Sequence, residues 1–175
     1  MSNSSEYNTF IGMRSGNANS GSITGSGNIG IGSSSCYNLT SGINNTCVGR
    51  RAGFNLTTGQ SNTLIGYDAG DLLTSGYLNT LIGHSSGDLL TTGYQNTIIG
   101  YGSDPSANDA TNQIIIGCNV TGQGDNTVTL GNSSVTNIYM AQDSGAAIHC
   151  GDINGNDLTL TCLLYTSPSP RDSIR

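Results

Sequence analysis

The chain has 175 residues, a net charge of −6, only 9% charged residues, no Trp and two Phe. A typical soluble domain carries about 25% charged residues, so Asn, Ser, Thr and Gly must cover this surface, and a core built on large aromatics is excluded. The acidic balance argues against a nucleic-acid backbone as partner, which needs clustered Lys and Arg, and no stretch of about 18 apolar residues is present to cross a membrane as a helix.

Residues 1–7 read as a disordered or polar lead, and the opening MSNSSEYNTF shows neither the basic start nor the apolar run of a secretory signal. From residue 8 a five-residue word recurs. It is Asn-Thr-Phe-Ile-Gly at 8–12 and, loosely, Asn-Ile-Gly-Ile-Gly at 28–32. It returns as Asn-Thr-Cys-Val-Gly at 45–49, Asn-Thr-Leu-Ile-Gly at 62–66 and 79–83, and Asn-Thr-Ile-Ile-Gly at 96–100. Its closing glycines, Gly32, Gly49, Gly66, Gly83, Gly100 and Gly117, lie 17 residues apart, and Gly131 follows after 14. A fixed short period is the signature of a solenoid, in which each coil buries its core only against its neighbours.

Within each coil the pattern predicts strand, turn, strand, turn. Asn-Thr-Leu-Ile is β-prone through Thr and Ile, and the glycine after it supplies a tight turn. Leu-Leu-Thr-Ser at 72–75, with its equivalents, reads as a second short strand. No segment has the apolar spacing and caps of a helix. The expected fold is therefore all-β with almost no helix: a short-coil β-solenoid over 8–131.

Alternate residues of a strand face opposite ways. One side of the first strand carries Thr46 and Val48, Thr63 and Ile65, Thr80 and Ile82, Thr97 and Ile99, Ile114 and Ile116, and Val128 and Leu130. The other carries Cys47, Leu64, Leu81, Ile98 and Ile115. Both sides are largely apolar, so the repeat core is assigned to the first set together with Leu64, Leu81 and Ile98, with the threonines pointing inward. An apolar stripe left on the outside marks an interface, and strands buried on both faces look like this. The chain is therefore expected to pack against copies of itself.

After Gly131 the period stops. Residues 132–161 read as a β-rich collar or the start of another module, with strands at 135–140, 146–149 and 158–160. Residues 162–172, CLLYTSPSPRD, resemble the translated read-through of a sequencing adapter. The expectation is that 162–175 is an artefactual tail on a fragment whose natural chain continued past Thr161.

Chemistry is sparse. Gly25-Ser-Gly27-Asn-Ile-Gly30 matches a dinucleotide-binding glycine pattern but lacks the helix that such a site needs. Asp152, Asn154 and Asn156 begin like a calcium loop, which fails at Asp157 where glycine is required. His84 reads as a solvated turn residue, His149 stands alone, and Arg50 and Arg51 read as a solvated turn. The five cysteines, Cys36, Cys47, Cys118, Cys150 and Cys162, show neither metal-ligand spacing nor a disulfide framework. Asp68, Asp71 and Asp88 stack on successive coils and read as repeat turns rather than a glycosidase pair. Sequons at Asn38, Asn44, Asn55, Asn119 and Asn132 are expected by chance in so Asn- and Thr-rich a chain. No cofactor, no metal and no enzymatic activity are expected.

The run Asn-Thr-x-Ile-Gly followed by Ala-Gly or Ser-Gly resembles the head repeats of trimeric autotransporter adhesins, the YadA-like left-handed β-roll, and related repeats of phage and viral tail fibres. The resemblance spans roughly 8–140. It implies a left-handed roll, a homotrimer, and display on a cell or virion surface, as a structural and adhesive segment that binds a surface receptor, glycan or matrix protein. This chain departs from the adhesins in its longer period and in Thr46, Thr63, Thr80 and Thr97, where they commonly have Val. A ligand edge is expected at Tyr67, Tyr77, Tyr94 and Tyr101, since Tyr gives contact area at low entropic cost. The alternative is an ice-binding β-solenoid that uses Thr ladders. The inward reading of Thr63 counts against it.

Overall fold

The computed structural model describes residues 7–18 and 21–138. Eight three-residue strands stack in chain order into one parallel sheet: β1 (Thr9–Ile11), β2 (Ile29–Ile31), β3 (Thr46–Val48), β4 (Thr63–Ile65), β5 (Thr80–Ile82), β6 (Thr97–Ile99), β7 (Ile114–Ile116) and β8 (Val128–Leu130). No helix forms among the described residues. Each strand pairs with the next in unbroken register, so Thr63 sits beside Thr80, Leu64 beside Leu81 and Ile65 beside Ile82. This is the expected β-solenoid, of about seven turns. Its anchor glycines close the strands; a Cβ on Gly66, at φ 140°, would run into the carbonyl oxygen of Gly83 in the next coil.

What defines the coil is a column of buried asparagines. Asn28, Asn45, Asn62, Asn79 and Asn96 each precede a strand and are almost wholly enclosed. The side-chain oxygen of Asn62 accepts from the backbone N–H and the amide of Asn79, both at 3.0 Å. The amide of Asn62 donates to the side-chain oxygen of Asn45 at 2.9 Å and to the carbonyl of Gly76 in its own coil at 2.8 Å. Each Asn thus closes one coil and fastens it to its neighbours. Gln113 ends the column: its backbone N–H still donates to Asn96, but its longer side chain turns to Ser106 and Asp125.

The column sets which way the strand faces. Asn62 and Leu64 are two apart and share a side, and the Asn side is the interior. Leu64, Leu81, Ile98, Ile115 and Cys47 are completely buried, joined by Leu39, Leu56, Leu73, Leu90 and small residues such as Ala52 and Ala69. Of the expected core, Leu64, Leu81 and Ile98 take that role. Thr46, Val48, Thr63, Ile65, Thr80, Ile82, Thr97, Ile99, Ile114, Ile116, Val128 and Leu130 lie on the outer side, half-buried or exposed. Counting apolar side chains put the Thr and Ile side inward. The hydrogen-bonding capacity of a buried amide, costly to leave unmet, decides otherwise.

The second expected strand does not form. Residues 72–75 run through turn and bend, and only single bridges follow, linking Ile43, Gln60, Tyr77, Tyr94 and Thr111 coil to coil. Threonine side chains take over part of the ladder there: the hydroxyls of Thr40, Thr57 and Thr74 each donate to the carbonyl of the equivalent Thr one coil on, at 3.1 Å. Residues 135–138 are not a strand either. The remainder of that expected strand, those at 146–149 and 158–160, the Asp152 loop, His149 and the tail at 162–175 lie outside the described residues.

Candidate interaction surface

The outer side of the sheet is a two-column face. One column is Thr9, Ile29, Thr46, Thr63, Thr80, Thr97, Ile114 and Val128; the other is Ile11, Ile31, Val48, Ile65, Ile82, Ile99, Ile116 and Leu130. No member is charged and all but Leu130 are β-branched, which suits a pleated surface. Eight strands of three residues span roughly 350 Å² at ordinary strand dimensions. The hydroxyls of Thr46, Thr63, Thr80 and Thr97 make no hydrogen bond to protein among the described residues. They face outward in a row, one per coil.

Aromatic columns border this face. Just after the strands, Arg50, Tyr67, His84, Tyr101 and Cys118 fall on one column. Arg50 lies over the Tyr67 ring and donates to its hydroxyl. Tyr67 stacks on His84 at 4.8 Å, and His84 meets Tyr101 at 5.1 Å. Before the strands, Tyr77 stacks on Tyr94 at 4.8 Å. The expected tyrosine edge is thus two separate columns, one on each side of the strand. His84 is exposed but stacked, not merely solvated. Because each ring covers its neighbour's face, the columns expose ring edges rather than faces.

Charge collects past the first turn. Arg51 makes a two-pronged contact with Asp71 at 2.9 and 3.0 Å and lies 3.5 Å from Asp68. The bond to Asp71 raises the Arg51 pKa further above its ordinary value. Arg51 also sits over Phe54, which stacks on Tyr37 at 4.9 Å. One coil on, the Asp88 carboxyl is pushed up by burial first, then by Asp104 and more weakly by Asp71 and Asp68. A shallow groove of about 470 Å³ runs nearby, lined by Asn38, Asn55, Thr57, Leu72, Thr74 and Thr91. Its amides are engaged within the fold: Asn38 donates to Asn55, and Asn55 to the carbonyl of Asp71. No group of acidic, His or Cys side chains among the described residues is arranged to hold a metal ion. Of the three glycines in the dinucleotide-like pattern, only Gly27 has a positive φ, and Gly30 lies within strand β2 where a helix would have to begin.

Cys36 and Cys47 are joined in a disulfide, both wholly buried. The cysteine count argued against this, but the repeat itself carries the signal. Cys36 occupies the slot of Gly53, Gly70 and Gly87, and Cys47 the slot of Leu64 and Leu81. Both columns change residue at positions that face each other. Cys118 is free and exposed.

No protein-family model matches the chain, and no curated protein or solved structure is detectably similar to it. No helix among the described residues is long and apolar enough to cross a membrane.

Proposed function

We propose that the chain is a structural and adhesive fibre segment, a homotrimeric left-handed β-roll displayed on a virion or cell surface, without enzymatic activity. The observation that carries this reading is the outer face, uncharged across all eight strands and β-branched at every position but Leu130. A face of roughly 350 Å² matches the largest patch on a typical monomer, which is often functional. A partner with the same coil repeat can meet every row of it, and a second copy has that repeat. One such face against another falls short of the ~800 Å² per partner of a standard interface. A closed ring in which each copy meets two neighbours brings in the bordering columns as well. The resemblance to adhesin and tail-fibre repeats points to three copies. The receptor, glycan or matrix partner then meets the turn residues left outside, including the edges of Tyr67, Tyr77, Tyr94 and Tyr101. Sedimentation equilibrium of the full chain tests this: three copies are expected, and a soluble monomer at all concentrations overturns it.

One observation favours a second reading, an ice-binding solenoid. The Thr46, Thr63, Thr80 and Thr97 hydroxyls are unpaired and point outward in register, which removes the objection that the threonines are interior. A regular row of methyl and hydroxyl groups at about 4.8 Å spacing is a surface able to order water. The two readings are exclusive for this face, since a trimer contact covers what an ice surface must reach. Ice shaping and thermal hysteresis by a monomeric species would favour the second. Their absence at high concentration would dismiss it.

A further inference from the structure

We infer that the Cys36–Cys47 disulfide is a redox-dependent lock on the N-terminal coils, replacing a packing contact that the later coils make without covalent chemistry. In the regular coils a glycine lies under the leucine of the next strand. A Cβ on Gly70 would come within 2.9 Å of the Leu81 side chain, and one on Gly53 within 2.8 Å of Leu64. The slot therefore takes glycine when the next strand brings a large side chain. Its backbone also demands a left-handed conformation, φ 60°, 59° and 63° at Gly53, Gly70 and Gly87. Cys36 holds that conformation, at φ 46°. Its side chain fits because the facing residue is Cys47 rather than leucine, and the bond fills the space that the leucine would have filled.

The lock sits beside a thin stretch of the core. The strand before it carries Gly30 at the position of Leu64, and the Phe10 ring packs over the gap. The coils from 28 to 61 therefore have less aliphatic interior to hold them than those from 62 to 95. Other non-repeating contacts gather at the same seam: the Tyr37–Phe54 stack and the Arg51 pairs with Asp68 and Asp71. Because both sulfurs are wholly buried, a dithiol reaches the bond only when these coils open. The dithiol then becomes a cyclic disulfide, and Cys36 and Cys47 each leave as a thiol. Formation is the reverse in electrons, with a small-molecule disulfide such as oxidised glutathione as acceptor of two electrons and two protons. Such a bond persists in an oxidising compartment and is lost in a reducing one.

The test is hydrogen exchange of the full chain, followed by mass, with and without dithiothreitol. Closing a loop of this size restrains the open state, so reduction is expected to speed exchange across 28–61 on the order of a hundredfold. Exchange across 79–112 should not change. Equal loss in both segments, or no loss in either, overturns the lock. The double substitution Cys36→Gly with Cys47→Leu rebuilds the regular columns. It should exchange like the oxidised parent and ignore dithiothreitol; continued sensitivity to reductant overturns the assignment. Alkylation is a check that needs no variant. Cys36 and Cys47 should resist iodoacetamide until reductant is added, and modification of either without it refutes the bond.

Discussion

The two sides of each three-residue strand have the same length, register and spacing, yet they differ in what they leave unmet. On the inner side, next to Asn62 and Leu64, the amides are hydrogen-bonded coil to coil and the aliphatic side chains are fully enclosed. On the outer side, at Thr63 and Ile65, methyl groups stay partly exposed and hydroxyls have no protein partner. Stability is concentrated on one side and availability on the other. A solenoid can therefore change what it contacts without changing how it holds together. That separation is what substitutions can break.

The largest losses belong inside. Leu81→Ala empties a fully buried site in a core only a few side chains wide, and should cost about 2–5 kcal/mol. Asn79→Ala should be comparably severe. It leaves the Asn96 backbone N–H and the Gly93 carbonyl without their side-chain partner and takes one of two bonds from the Asn62 oxygen and from the Asn96 amide, and each buried group left orphaned costs about 1–3 kcal/mol. Urea denaturation measures both. Loss of less than about 1 kcal/mol from Asn79→Ala would mean that the column is replaceable by water and does not define the interior.

Outside, on the homotrimer proposed above, a charge should leave the fold alone and abolish assembly. Ile65→Lys with Ile82→Lys places two charges in the middle of an uncharged face. The circular dichroism spectrum should be unchanged, since Ile65 is exposed and Ile82 half-buried on the outer side, and surface substitutions usually shift stability by no more than about 0.5 kcal/mol. Sedimentation should report a single copy, and the melting temperature should lose any dependence on concentration. A trimer that survives both lysines would place the contact elsewhere on the coil.

These contrasts also show what was legible beforehand. The period, the anchor glycines and the parallel β-solenoid follow from the spacing of Gly49, Gly66, Gly83 and Gly100, because a backbone repeat needs no side-chain energetics to be seen. The direction of the strand was not legible from apolar counts. Thr63 and Ile65 outweigh Leu64 on that scale, and only the satisfaction of Asn62 amides by Asn45, Asn79 and Gly76 reverses it. The tyrosines could be named but not grouped, since Tyr67 and Tyr77 belong to different corners of one coil. The disulfide was readable column by column rather than by counting cysteines. Residues 72–75 misled because β-prone threonines there bond through their side chains.

Smaller effects test the corners. Thr74→Val removes the hydroxyl that donates to Thr91 and leaves that carbonyl one partner short, so about 1 kcal/mol is expected in the same urea experiment. Asp88 acts through pH. Burial and Asp104 hold its proton more tightly in the folded chain than in the unfolded one. Its ionised form therefore lowers stability; the cost is absent below the unfolded carboxylate range and grows as pH rises towards the higher folded value. Asp88→Asn should match the parent in acid and exceed it slightly above that window. A variant that is no more stable than the parent at neutral pH would show that solvent screens the carboxylate.

The smallest expected change on stability is the most informative. Thr63→Val is isosteric, keeps a β-branched side chain on a pleated surface, and removes a hydroxyl with no protein partner. Urea denaturation should find it within about 0.5 kcal/mol of the parent, against the loss from Thr74→Val, although both threonines recur every 17 residues. If instead both cost the same, the outer hydroxyls are engaged, and the division between the two sides of the strand fails. Extending the change to Thr46, Thr80 and Thr97 then separates the uses of the face. A contact between copies should tolerate or gain from four added methyl groups, since each buried methyl is favourable by roughly 0.8 kcal/mol. A surface that orders water through its hydroxyl row should lose its hold on ice.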